Sequence, residues 1–245
     1  MKEKIVELQQ NMVWTTKNLI GEFFELVDND TVEKGFNVID TLNDNVENVQ
    51  KLLLTVEKLW IQSLLQGLSI HDDSNDAVKK LHRYVSNNSR RAEYVAAILR
   101  QALLSNSHAI NTLMGIYLAS VSEKNRDITQ EDLIIYDALS IFNDFDVRNY
   151  KIIYEITKKE PFEAREGLCV NNEILSNRED YEYLSLTMNK AARVGLFSEL
   201  SVIEKEENGM VAAIFGSSYK INYVGEAFYN LTAQLDDEML CSTGG

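Results

Sequence analysis

The most ligand-like run in this chain is His71-Asp72-Asp73-Ser74-Asn75-Asp76. Set as a calcium loop starting at Asp72, its first, third and fifth positions would be the oxygen donors Asp72, Ser74 and Asp76. Such a loop needs glycine at the sixth position for its sharp turn and a bidentate glutamate at the twelfth. This chain offers Ala77 and Arg83 there, so a solvated loop with a helix cap is the better reading. The three histidines, His71, His82 and His108, stand in no HxxxH or HExxH relation, and a zinc site would need distant segments to converge. They read as surface residues, with His108 at a helix–helix contact. Cys169 lies in the apolar run Gly167-Leu168-Cys169-Val170 and reads as a small buried hydrophobe, because a nucleophilic thiol needs a positioned base. Asp144 and Asp146 read as the start of a helix in preference to a catalytic dyad. GxGxxG, GxxxxGK[ST] and GxSxG do not occur. The reading assigns no catalytic residue, no cofactor and no metal.

One local concentration of basic residues remains. Lys79, Lys80 and Arg83 fall within about one helical turn, and Arg90-Arg91 opens the following segment, with Arg100 beyond. This patch could hold an acidic partner or a phosphate. Neutralisation of acidic neighbours within a helical bundle is the favoured reading.

Charge and composition narrow the classes further. The 245 residues carry a formal net charge of -14, which opposes non-specific binding to nucleic acid or to an anionic membrane surface. Hydrophobic residues make up 45%, enough for a proper core in one or two domains. A single proline, Pro161, and 11 glycines suit a mainly helical chain, since both residues are costly inside helices. Cys169 and Cys241 form neither a disulfide framework nor a metal-type pair, so a reducing cytoplasm is expected. No apolar run approaches the twenty or so residues that span a bilayer, and the first residues lack the apolar core of a signal peptide.

The elements that would position these residues begin with an amphipathic segment, Lys2 to about Val27, broken by Asp28-Asn29-Asp30. From Val32 a seven-residue frame places Val32, Ile39, Val46, Leu53 and Trp60 in one column. The column three residues on runs Gly35, Leu42, Val49, Val56 and Ser63. This period of 3.5 marks a helix that lies along another helix, in this chain or in a second copy. Thr31 to Gly67 would extend roughly 55 Å at about 1.5 Å per residue. The heptad face Val32, Ile39, Leu42, Val46, Val49, Leu53, Val56 and Trp60 is the expected interaction surface. Arg90 to Val121 reads as a second long apolar-periodic segment, Thr129 and Asp132 as a capping box, and Asp144 to Lys159 as a helix ending before Pro161. Helices joined by short polar loops make a bundle.

Past Pro161 the pattern changes. Arg178 to Val194 reads as a helix closed by Gly195, and Ser201–Lys205 and Met210–Phe215 flank Asn208-Gly209, a strong hairpin signal. Tyr219–Tyr223 reads as extended and Val224–Leu235 as a last helix. Helix, hairpin, short strand, helix is the order of a winged-helix-like module. From Phe197 to the end, eight acidic residues face only Lys205 and Lys220, and Glu204-Lys205-Glu206-Glu207 occupies the expected wing. DNA contact through such a module is electrostatically unfavourable, so protein binding is expected of it.

Ile128 to Leu139 with Asn143-Asp144-Phe145-Asp146, then Gly195-Leu196-Phe197, Asn208-Gly209 and Tyr219 through Gly225 to Phe228, resembles bacterial abortive-infection-associated helical proteins of the Abi-alpha type. The resemblance covers the second half of the chain and rests on structural motifs. It implies a cytoplasmic bacterial protein tied to phage defence, and it transfers no active-site residue.

The expected fold is mainly α: a long-helix bundle over residues 1–160, a winged-helix-like α/β module over 161–235, and a tail from 236 to 245. The expected function is non-enzymatic protein–protein interaction or regulation, through a protein partner or a homo-oligomer. The alternative is a winged-helix transcriptional regulator dimerised by its long helices.

Overall fold

The computed structural model describes residues 60–70, 74–86, 88–105, 107–159, 168–170, 172–200, 203–207, 210–214 and 218–235. They are mainly helical, with a small antiparallel sheet and a separate two-stranded ribbon. The chain divides into two compact units between Ile128 and Thr129.

The described helices of the first unit are α1 (60–68), α2 (Ser74–Val85), α3 (Ser89–Leu104) and α4 (His108–Lys124). Helix α4 is buried on nearly every side, from Ala109 through Leu118. A helix apolar all round belongs at the centre of a bundle. Leu81, Ile98, Ile110 and Leu113 have no exposed surface, and each such side chain stabilises the fold by about 2 kcal/mol. The expected single segment from Arg90 to Val121 is two helices. Ser105 ends α3, and the Ser107 side chain accepts a hydrogen bond from Ile110 N to cap α4. Serines at both positions offer the backbone an alternative to helix.

Helices α1 and α4 approach to backbone contact. A Cβ built on Gly67 would lie 1.9 Å from the Thr112 carbonyl oxygen, and one built on Gly115 would lie 2.0 Å from the Leu64 carbonyl oxygen. Only glycine fits at either position. Gly67 and Ser63 continue the two heptad columns, and Ser63 Oγ is hydrogen-bonded to His108 Nδ1. The heptad face is therefore turned, at its described end, onto this chain's own α4. Trp60 is half-buried there, while Val32, Ile39, Leu42, Val46, Val49, Leu53 and Val56 lie outside the described residues.

The second unit starts with α5 (Gln130–Ile141) and α6 (Asp144–Lys159). Next come β1 (Leu168–Cys169), the short α7 (Asn172–Ser176) and α8 (Tyr181–Arg193). The strands β2 (Phe197–Leu200), β3 (Ile203–Glu207), β4 (Met210–Ile214) and β5 (Ser218–Ile221) follow, and α9 (Tyr223–Thr232) closes the described chain. The sheet order is β1-β5-β2, antiparallel throughout, with Phe197 opposite Ile221 and Leu168 also paired to Ile221. The pair β3–β4 runs from Ile203↔Ile214 to Glu207↔Met210, which brackets Asn208-Gly209 as the hairpin signal expected.

The expected domain border at residue 160 differs from this division. Helices α5 and α6, assigned to the bundle from sequence, pack into the second unit. Tyr150 of α6 sits at its centre, 5.2 Å from the Phe228 ring and 5.5 Å from the Phe197 ring, with Phe142 of α5 5.4 Å from Phe228. Aromatic rings at these separations add edge-to-face and stacked contacts to their apolar burial. The Tyr150 hydroxyl donates to the Gly225 carbonyl at 3.0 Å, tying α6 to the start of α9.

Candidate interaction surface

Helix α8 is set in place by its buried stripe, Leu184, Thr187, Met188 and Ala191, at helical spacing. Helix α6 grips it through polar groups. The Asp146 carboxylate accepts from Lys190 Nζ at 2.6 Å, from the Thr187 hydroxyl at 3.1 Å and from Asn143 N at 3.0 Å. Asn149 Nδ2 donates to the Thr187 hydroxyl at 3.2 Å and to the Tyr183 carbonyl at 3.4 Å. Asp146 is 5% exposed, so its charge is tolerable only because these donors replace water. Asn143 Oδ1 also accepts from Asp146 N, so this acid completes a reciprocal cap at the start of α6. Its role is structural, in line with the helix-start reading.

Anchoring one side of α8 leaves the other side to solvent. Tyr183 is 68% exposed and Leu186 is 60% exposed, one helical turn apart on the same face. Glu182 and Asn189 flank them, also exposed, and Arg193 is exposed in the last turn. Before the helix, Glu179 is exposed, and Arg178 forms two hydrogen bonds to Asp180 at 2.7 and 2.8 Å. That guanidinium holds the Asp180 carboxyl below its ordinary range. The first turn and its approach thus carry Glu179, Asp180 and Glu182, and the one lysine of α8 is held by Asp146. The result is an apolar patch with an acidic edge.

The basic patch expected in the first unit disperses. Arg91 donates to Asp127 Oδ1 from both Nε and a terminal nitrogen, at 3.2 and 3.0 Å, and to Asn125 Oδ1 at 2.8 Å. Its guanidinium also lies 4.6 Å from the Tyr84 ring centroid. It is a clamp between α3 and the end of α4. Arg83 Nε donates to the Lys79 carbonyl, and Lys79 pairs with Asp76 at 3.9 Å, both well exposed. Lys80 is half-buried on α2, and Arg90 is exposed at the start of α3. These residues are spread over two helices and are partly used within the unit.

The other chemical candidates fall into place the same way. Cys169 is 1% exposed in β1. His82 on α2 lies with its Nδ1 3.4 Å from the Ser86 hydroxyl just past the helix, and His108 makes the interhelical bond to Ser63. His71 to Asp73 lie outside the described residues. Among the described residues no group of three or more His, Cys, Asp or Glu could hold a metal ion. No described helix is long and apolar enough to cross a membrane. Sequence reasoning passed over Tyr183 and Leu186. The signal was available, because both fall off the stripe of Leu184 and Met188 that the core requires.

No family model, no curated protein and no solved structure matches this chain. Its function has to be argued from the surface just described.

Proposed function

We propose that this chain is a non-enzymatic protein–protein interaction or regulatory protein, and that its second unit is a winged-helix module turned from DNA to protein. The connectivity supports the module: α6, β1, α7, α8, β2, the β3–β4 ribbon, β5 and α9, with β5 between β1 and β2. In that reading α8 occupies the place of a recognition helix, which a DNA-binding protein sets in the major groove. The observation that carries the proposal is the exposed face of that helix. It presents Tyr183 and Leu186 beside Glu179 and Glu182, where a DNA reader needs lysine and arginine. Exposed tyrosine and leucine at one-turn spacing suit a protein interface, where tyrosine is enriched and charge is depleted from the centre. The resemblance to abortive-infection-associated proteins adds a bacterial cytoplasm and phage defence as the setting.

The second reading is a DNA-binding regulator, favoured by the same connectivity and opposed by the charge. Fluorescence anisotropy with a random-sequence DNA duplex at low salt separates the two. The expected result is no binding, and salt-sensitive binding would promote the regulator. Affinity capture from source cells, comparing the wild-type chain with Tyr183→Glu/Leu186→Glu, is expected to lose its specific partner in the variant. Equal capture by both chains would refute a role for this face.

A further inference from the structure

The polar contacts between α6 and α8 fix how the two helices run. Asp146 meets Thr187 and Lys190, while Asn149, one turn further along α6, meets Tyr183 and Thr187. Rising numbers on α6 thus meet falling numbers on α8, and the helices are antiparallel. Phe145 stands one turn before Asn149, which puts it on the α8-facing flank of α6 at about the level of Lys190. It is 65% exposed, as bare as Tyr183 and Leu186. The exposed apolar surface therefore crosses the seam between two helices, with Asn149 half-buried in it. Tyr183 to Leu186 is one turn, and Leu186 to the level of Phe145 is another, roughly 10 Å in all. An amphipathic helix offers apolar side chains at i, i+3 or i+4 and i+7, a span of about 10 Å. The spacing suits a third helix laid along the seam.

Charge decides which helix fits. Of the formal -14 on the chain, the second unit holds -11, from 21 acidic and 10 basic residues between Thr129 and Gly245. Glu179 and Glu182 stand exposed at the Tyr183 end. Most cations near the seam are engaged: Lys190 by Asp146, Arg178 by Asp180, and Arg148 at 5.9 Å from the Phe145 ring centroid. Arg193 stands in the last turn of α8. A second copy of this chain would bring another -11 against the same face, so self-association there is disfavoured. A helix rich in lysine and arginine meets an attractive field over the whole unit, which speeds its encounter, and finds glutamates at the edge.

We propose that the α6–α8 seam docks a basic amphipathic helix from another protein. Phe145, Tyr183 and Leu186 are its apolar contacts, and Glu179 and Glu182 face its lysines or arginines. Both additions, Phe145 as part of the face and a basic helix as its occupant, rest on the reading of α8 as a protein-binding face. The apolar contacts carry the affinity and the glutamates the choice of partner, since an exposed ion pair is worth little by itself.

The test is selection from a phage-displayed library of helical peptides against the purified full chain. Selected peptides are expected to carry an excess of Lys and Arg over Asp and Glu, with apolar residues at helical spacing. Made synthetically and followed by fluorescence anisotropy, they are expected to bind Phe145→Ser and Leu186→Ser about tenfold more weakly than wild type. Glu179→Gln/Glu182→Gln is expected to flatten the salt dependence of binding. The substituted side chains are exposed, so the far-UV circular dichroism of each variant is expected to match wild type. Peptides lost in Leu186→Ser but indifferent to Phe145→Ser would keep the α8 face and overturn the two-helix seam. Peptides that need both side chains but carry no basic excess would keep the face and overturn the basic partner. A library that yields only peptides indifferent to both serine variants, bound by charge alone, overturns the inference entirely. Partner capture through Tyr183 and Leu186 then judges the α8 reading by itself.

Discussion

Tyr150 shows how one side chain can join sequence-distant segments of the second unit. Its ring packs among Phe142, Phe197 and Phe228, and its hydroxyl satisfies the Gly225 carbonyl. Burial pushes that hydroxyl well above its ordinary value of 10.0, with Tyr154 and Glu226 adding repulsion. A folded-state value above the unfolded one means full stability below about pH 10, lost as pH rises and the unfolded chain ionises first. Alkaline urea titration is expected to show this loss, reduced in Tyr150→Phe. At neutral pH the same variant should cost about 1 kcal/mol, the worth of one buried hydrogen bond. Asp146 is the second such residue. Lys190→Met leaves the buried Asp146 carboxylate without its cation, and stability is expected to fall by about 2 to 4 kcal/mol, less than for a fully buried pair because Lys190 is itself partly exposed. Much of this was legible locally. The Thr129–Asp132 capping box is present, with Thr129 N donating to Asp132 Oδ2 at 2.7 Å. The pairing of Tyr150 with Phe197, Gly225 and Phe228 was not legible, because these lie far along the chain and no local pattern encodes them.

Among the elements, the closest packing is the α1–α4 crossing. Gly67 reads in the sequence as the end of the heptad helix, and Gly115 carries no reading there. In the structure they are the contact itself, and Gly115 sits in the middle of a 17-residue helix. A glycine inside a helix costs about 1 kcal/mol relative to alanine, so its use here follows from the space available. Gly115→Ala should gain that propensity yet lose overall by about 3 kcal/mol in chemical denaturation, because backbone atoms on α1 must move. An unchanged midpoint would mean the helices sit farther apart than described. The helix Asp144–Lys159 was legible end to end, since Pro161 and the acidic start bound it. The strand Leu168–Cys169 and helix Asn172–Ser176 were missed, being too short for a periodicity to show. The described strands Ile203–Glu207 and Met210–Ile214 pair on either side of Asn208-Gly209, where the hairpin was expected, and Ser201 lies outside the described residues.

At the scale of the whole molecule, the strong acidity and the apolar face of α8 point the same way. A formal charge of -14 opposes nucleic acid and anionic surfaces on electrostatic grounds, and in the proposed reading two exposed side chains offer a partner an apolar anchor. Because Tyr183 and Leu186 are mostly exposed, replacing both with glutamate should alter stability by no more than about 0.5 kcal/mol. Loss of partner binding in that variant would then be a surface effect. Composition made the mainly helical fold legible. The exposed face of α8 was not, because exposure depends on which stripe of α8 the α6 helix claims. The most direct measurement is site-specific photocrosslinking in source cells, with p-benzoylphenylalanine in place of Leu186. The account expects a discrete protein adduct that disappears when Tyr183→Glu is added. A nucleic-acid adduct, or an adduct indifferent to Tyr183→Glu, would contradict it.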